Sequence, residues 1–577
     1  MKKKYLYTML FAAACLTTVA TSCSLDEEDY VDIEKNNYMN DASEAETVLL
    51  GVYQAGAVDA TYGMNLSFYL NMGTDCEQVE GSSTENFRIV PTNAYPTTQS
   101  DIQNTWEALY TGVYRANDFL ERLSVKMESF ESEDDKNLAA IYLAEARCLR
   151  ALYNFELVRR FGNIVLMTST AMSDQHPSTF VQEDPVKVYE FIEADLKYAI
   201  ETLPYAADDT YRESNDFRFS KGAAMGLLAK VYATWAGYPI QDTSKWEQAA
   251  NIAGQLINSG KHDLLADFEQ LWYNTCNSIW DPTESLIEIS FYSPTASASS
   301  DPVGRIGKWN GVRATQIAGT RGRCAANDKV VHSFVLDWRA EDGIGMTTDG
   351  TNNVYTYEPE AGTPGYDCRR PLSIANYQYN DDYVLWTKTS STTDEVAAQN
   401  DLNPDAGQRY KQNYTPAKWD IEKYTQAANV VINDDKSNVN WYVLRYADVL
   451  LIYAEALNEW KGGPTDEAYA AVNKVRRRAY NDTSHDLAQG MDQAAFREAV
   501  RKERKYELAF EGHRRLDLVR WGIYYETIQE TYDKLMNWWP DANYVVYNYT
   551  VKGKNELCPI PQRDMDLCTQ FKQNPGW

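Results

Sequence analysis

Apolar residues recur at three- and four-residue steps along much of this chain, the spacing that lines one face of an α-helix. Ile102, Trp106, Leu109, Val113 and Leu120 predict a helix over about 101–123. Leu138, Ile141, Tyr142, Leu149, Leu152 and Phe155 predict another over about 137–161. Pro185 suits the first turn of a third, which runs to Leu203. Two more follow at about 219–236 and 244–259, the second stopping at Gly260. The periodicity then fades. Residues 301–370 hold 10 of the 30 glycines, and short strands such as Leu286–Ser290 with long loops fit better. Helices resume at about 442, where Val443, Ala447, Leu450, Ala454 and Leu457 form one apolar face, and continue at about 465–479 and 493–511. Gly512 separates the last of these from Arg514–Trp521. The pattern divides the chain into a helical part at 41–260, a loop-rich insertion at 261–440 and a second helical part at 441–577. Paired antiparallel helices on both sides suggest degenerate tetratricopeptide-like pairs, without the strict 34-residue signature, so the fold class is mostly α.

The N-terminus has the layout of a targeting segment. Lys2, Lys3 and Lys4 precede an apolar run, Tyr5 to Ala20, too short to span a bilayer. Small residues then lead to Cys23, the arrangement of a lipoprotein signal. Residues 1–22 read as the signal peptide, Cys23 as the lipidated residue and 23–40 as anchor and tether; ordinary secretion is the competing reading. No later stretch is apolar enough to cross a membrane, so the anchor alone would hold the protein there. The acidic run Asp26, Glu27, Glu28, Asp29 reads as a solvated linker.

Charge narrows the partners. The 577 residues carry 55 Lys+Arg against 83 Asp+Glu, a net −28, which argues against a nucleic-acid backbone as ligand. Tyr outnumbers Phe 41 to 17 and there are 15 Trp, side chains that suit half-wet surfaces and sugar rings or simply pack helices. Of nine Cys, seven would remain after processing; no CxxC or zinc-type cluster occurs, and Cys558 and Cys568 are close enough in sequence to pair.

Catalytic signatures are missing: no GxSxG elbow, HExxH, Walker loop or GxGxxG. His513 reads as structural, and Asn433–Ser437 mimics a calcium loop without its Gly and closing Glu. No cofactor or metal site is expected. Loop acids Asp337, Glu341 and Asp367 could in principle serve a glycosidase, which needs two carboxylates across a sugar. A protein-binding helical adaptor is the third possibility.

Several runs of residues carry a family resemblance. WYVLRYADVLLIYAEA at 441–456 and RKERKYELAFEGHRRLDLVRWG at 501–522 resemble the core motifs of the RagB/SusD outer-membrane nutrient-uptake lipoproteins. Arg218 to Ala224 at a helix start, Pro559-Ile560-Pro561 and the ending Gln573 to Trp577, with Trp where Tyr is commoner, are similar too. The resemblance implies eight helices in four tetratricopeptide-like pairs with an inserted, ligand-binding region. It implies a lid over a TonB-dependent (SusC-like) barrel transporter and capture of oligosaccharides, or of peptides in a minority branch, without catalysis. The Arg/Glu-rich helix at 493–511 reads as ion-paired surface and interhelix contact rather than as a site.

By the same resemblance, the ligand site lies where a loop at about 75–100 meets the insertion. That loop carries Asp75, Arg88 and Tyr95. The window 301–330 adds Arg305, Trp309 and Arg313, and holds six cations against Asp301 and Asp328. A flat indole with nearby guanidinium groups suits a sugar ring and points to a ligand with some negative charge, such as an acidic glycan. The alternative is that these cations pair with nearby acids or face the transporter.

Overall fold

A computed structural model describes residues 38–292, 303–343 except 318 and 320, 346–348, 353–355, 363–379 except 376, 414–426, 433–538 and 543–577. Cys23, the signal peptide, the acidic run and Asp301 lie outside the described residues.

The helical part begins with α1 (Ala42–Gln54), capped by the Asp41 carboxylate on the Glu44 N–H. Eight helices then stack in sequence: α2 (Ser100–Lys126), α3 (Glu133–Phe161), α4 (Pro185–Thr202), α5 (Lys221–Trp235), α6 (Lys245–Asn258), α9 (Tyr446–Lys461), α10 (Asp466–Tyr480) and α11 (Gln493–Glu507). Each packs on the next, and α11 also packs on α9. Ser132, Asp184, Ser220, Thr465 and Asp492 cap the N-termini of α3, α4, α5, α10 and α11 with side-chain oxygens, while Gly462 and Asn481 end α9 and α10 in the left-handed region. The mostly helical fold expected from periodicity is the fold observed.

The insertion leaves after α6 and returns before α9, so it interrupts the third pair rather than separating two halves. Its residues form α7 (Phe268–Cys276), β2 (Ser285–Ile289), β3 (Asp328–Val330), α8 (His332–Glu341) and the strands β4 (Met346–Thr348), β5 (Asn353–Tyr355), β6 (Ile374–Ala375) and β7 (Thr415–Pro416). The neck is closed by an antiparallel pairing of β2 with β8 (Trp441–Arg445). This corrects one expectation: Val443 belongs to β8, and α9 starts only at Tyr446. The five residues are buried, and their strand partner lies about 150 positions earlier, beyond the reach of any local pattern.

The Arg/Glu-rich helix makes the ion-paired interhelix contacts expected of it, and a second correction concerns only its exposure. Its inward residues are interior. Arg445 pairs with Glu284 (2.6 Å), Glu507 (3.1 Å) and Glu511 (2.7 Å), and Arg478 with Glu284 and Glu507. Arg369 reaches Asp367, Glu503 and Glu507, and Lys418 reaches Glu511 at 2.7 Å. Burial alone would raise the Glu507 carboxyl, but Arg478, Arg445 and Arg369 drive it far below the usual range. The network ties the insertion (Glu284, Asp367, Arg369, Lys418) to the stack (Arg478, Glu503, Glu507). The rest of the C-terminal part, α12 (Arg514–Arg520) and α13 (Tyr524–Trp538), packs against α8 around a second apolar core with Phe334, Trp338, Tyr506 and Phe510.

Candidate ligand-binding site

β1 (Glu77–Val79) pairs antiparallel with β3, fastening the chain before α2 to the insertion. The pairing continues one step, with the Glu80 N–H donating to Asn327 O at 2.8 Å. The loop then turns through Asn86 at φ 54 and presents Phe87, whose ring meets Trp309 edge-on with centroids 5.8 Å apart. Arg88 Nε donates to Glu80 O at 2.6 Å, which lays its guanidinium 4.2 Å over the Phe87 ring.

Trp309 is held from the other side. Its indole N–H donates to Asp435 Oδ1 at 2.9 Å, and the Arg305 guanidinium lies 4.9 Å from its ring centroid. Arg305 also pairs with Asp59 at 3.0 Å and with Asp435 at 2.6 Å, and Lys436 pairs with Asp59 at 2.6 Å. Asp59 opens a π-helical turn, Asp59–Gly63, and the Arg305 N–H donates to Gly63 O at 2.8 Å. Partial burial works against the Asp435 carboxylate, yet the Trp309 N–H and Arg305 hold it below its ordinary range. Arg313 Nη2 completes the group, donating to Glu80 Oε1 at 2.7 Å.

Four of the six residues singled out from sequence, Arg88, Arg305, Trp309 and Arg313, therefore gather with Phe87 on one face. The other two make their contacts elsewhere. Asp75 is buried and bidentate to Arg514 (2.8 and 2.9 Å), with Lys505 at 3.4 Å, so its carboxyl stays far below the usual range although burial opposes this. Tyr95 is buried against Trp577 with ring centroids 4.9 Å apart, and burial raises its phenol well above the ordinary value. Both brace the ends of the loop that Phe87 and Arg88 tip.

Part of the local excess of positive charge is compensated in three dimensions. Arg305 and Arg313 are paired as above; Arg321 is buried beside Glu422 at 3.6 Å; Lys308 and Lys329 are buried, and burial lowers Lys329 to about 8. The compensating acids, Asp59, Glu80, Glu422 and Asp435, come from outside the 301–330 window. Sequence reasoning missed Phe87, Asp59 and Asp435. Phe87 could have been found as the aromatic neighbour of Arg88. The segment that mimicked a calcium loop is a turn in which Asn433 Oδ1 accepts from the N–H groups of Asp435 and Lys436, presenting Asp435 to Trp309.

The loop acids considered for glycoside cleavage are engaged in ion pairs: Asp337 with Lys534, Glu341 with Lys502, and Asp367 buried on Arg369. His513 is buried beside Lys230 at 2.9 Å, and burial lowers it to about 3, so it is neutral. Cys558 and Cys568 are free thiols.

A family model described as the SusD family matches residues 283–577, and one described as starch-binding associating with outer membrane matches residues 25–233. The chain belongs to the SusD family. A SusD homolog from Bacteroides thetaiotaomicron, known from its crystal structure, is 64% identical, with 96% of this chain and 100% of that chain covered and a TM-score of 0.88. The SusD-like protein P25 of Formosa agariphila is 25% identical, covering 94% of this chain and 93% of its own. A laminarin-binding SusD-like protein shares the fold at 24% identity and TM-score 0.63, covering 93% of this chain and 99% of its own. The same fold appears in surface glycan-binding protein A of Bacteroides thetaiotaomicron in complex with laminarihexaose, at 18% identity and TM-score 0.63, covering 92% of this chain and 99% of its own.

Proposed function

We propose that this SusD-family protein is a cell-surface lipoprotein that captures an oligosaccharide on the Phe87–Trp309 face and passes it to a TonB-dependent outer-membrane transporter. The observation that carries the reading is that face itself. Two aromatic rings from separate segments stand together, bordered by Arg88, Glu80, Arg313, Arg305 and Asp435, a mixture of planar donors and carboxylate acceptors that suits sugar hydroxyls. The glycan-binding relatives with the same fold support the ligand class. Arg305 and Arg313 are paired with acids, so stacking and hydroxyl hydrogen bonds carry much of the attraction, and a neutral glycan fits as well as an acidic one.

Attachment through a diacylglyceryl Cys23 accounts for the targeting pattern, and no helix among the described residues is long and apolar enough to cross a membrane. Delivery to a barrel partner is the natural fate of a ligand held by a lid of this family. Titration calorimetry of the purified protein against a panel of neutral and acidic oligosaccharides, with product analysis after incubation, tests the reading. Binding without turnover, lost in Trp309→Ala, is the expected result. Turnover would replace capture with catalysis, and binding only to peptides would move the protein to a peptide-uptake role.

A further inference from the structure

The strand pair that carries the Phe87 loop to the insertion contains two acids with no base between them. In the β1–β3 register Glu77 opposes Val330 and Val79 opposes Asp328. Glu77 and Asp328 are therefore diagonal neighbours on one face of the ribbon. They are 1% and 0% exposed. Among the described residues, no basic or amide side chain donates to Glu77 Oε2 or to the Asp328 carboxylate, which faces only the Lys329 backbone N–H and the Glu77 carboxyl. Two buried carboxylates side by side cannot both ionise without a large cost, whereas a single proton between them supplies the missing hydrogen bond.

The nearby cations make their direct contacts elsewhere, although Lys418 partly offsets the charge at Glu77 and Lys329 that at Asp328. Asp75, next along the chain from Cys76, is neutralised by Arg514 and Lys505. Lys418, two residues beyond β7, donates to Glu511 at 2.7 Å and to Glu507 O at 2.9 Å. Lys329 follows Asp328 on the strand and so points to the opposite face, the side of Glu80 and Arg313.

We propose that Glu77 and Asp328 share one proton, and that this proton latches the strand pair holding Phe87 against Trp309. Burial first of all raises both carboxyls well above their ordinary range, and the neighbouring Asp328 adds to the rise at Glu77. Loss of the proton leaves two like charges in the ribbon and favours opening of β1 from β3, which withdraws Phe87, Arg88 and Glu80 from the insertion. The functional meaning of the latch rests on that face being the ligand site; the latch itself does not.

Amide hydrogen exchange on the full chain, corrected for the intrinsic exchange rate and followed from about pH 6 to about pH 9, tests it. An opening that releases one proton grows about tenfold per pH unit between the ordinary carboxyl value of the open state and the raised value of the closed pair, and levels off above it. Residues 77–88 and 327–330 of the wild type should show that slope. Glu77→Gln, in which the amide donates to Asp328, should hold the same segments closed with no slope, and Asp328→Asn should do likewise should the first variant fold poorly. A flat wild-type profile, or an equal slope in both variants, overturns the latch. The exchange measurement involves no ligand, so a failed glycan panel overturns the ligand reading and leaves the latch standing.

Discussion

The indole N–H of Trp309 is donated to Oδ1 of Asp435, 2.9 Å away, joining residues 126 positions apart. Asp435 in turn accepts from Arg305, which covers the same ring, so acid, cation and indole orient one another. Trp309→Ala should weaken oligosaccharide binding at least tenfold, about 1.4 kcal/mol, as expected for an aromatic anchor. Asp435→Ala leaves the ring in place but unoriented and should cost less. Calorimetry of the two single variants and the double variant should show less than additive losses, because both changes remove parts of one unit. Strict additivity would mean that Asp435 does not position Trp309.

The neck network predicts a stability effect far from the ligand. Arg445→Met leaves Glu284, Glu507 and Glu511 short of their shared cation in a buried setting, which should destabilise the fold by about 3–5 kcal/mol. Arg477→Met, which breaks the exposed pair with Asp486, should leave the unfolding midpoint unchanged. Denaturant unfolding of the two variants side by side distinguishes a working buried network from a dispensable one.

Glu288 predicts a pH dependence. It lies buried on β2, accepting from Asn440 Nδ2 at 2.9 Å and Ser285 Oγ at 2.8 Å, and burial pushes its carboxyl up from 4.5 to about 7. The folded state therefore prefers the protonated form. This residue costs nothing below about pH 4.5, where both states are protonated, and its penalty grows from there until it levels off above about pH 7. Glu288→Gln should be more stable than the wild type at pH 8 by up to about 3 kcal/mol, with the gap closing as the pH falls to 4.5. Unfolding at the two pH values checks it, and an unchanged gap would show that Glu288 does not titrate in this range.

Gly112 on α2 lies against the ring of Tyr153 on α3; a Cβ there would fall 2.6 Å from Tyr153 Cδ2. Tyr153 is buried and donates its hydroxyl to Val52 O at 2.7 Å, so it has little room to retreat. Gly112→Ala should therefore destabilise by about 1–3 kcal/mol, against the roughly 1 kcal/mol that alanine normally gains inside a helix. A rise in thermal midpoint would show that the α2–α3 contact has slack.

Much of this architecture is local and so was legible along the chain. Helix spacing at three and four residues, caps such as Ser220 and Asp184, and the stop at Gly162 or Gly462 act within a turn or two, and all eight stacked helices follow from them. The motifs at 441–456 and 501–522 likewise identified the family and, with it, where the loop and insertion would meet. Tertiary structure alone decided what depends on distant partners. Val443 is a strand residue because β2 pairs with it across the neck, and Glu507 is interior because three arginines from separate segments converge on it. Asp75 became a buried ion-pair partner of Arg514, 439 positions away, whereas Trp309 is half-buried and anchored by Asp435. Periodicity records which side of an element is apolar; it holds no record of which charge will meet which, because that pairing is set only when the segments are packed and water has been excluded between them.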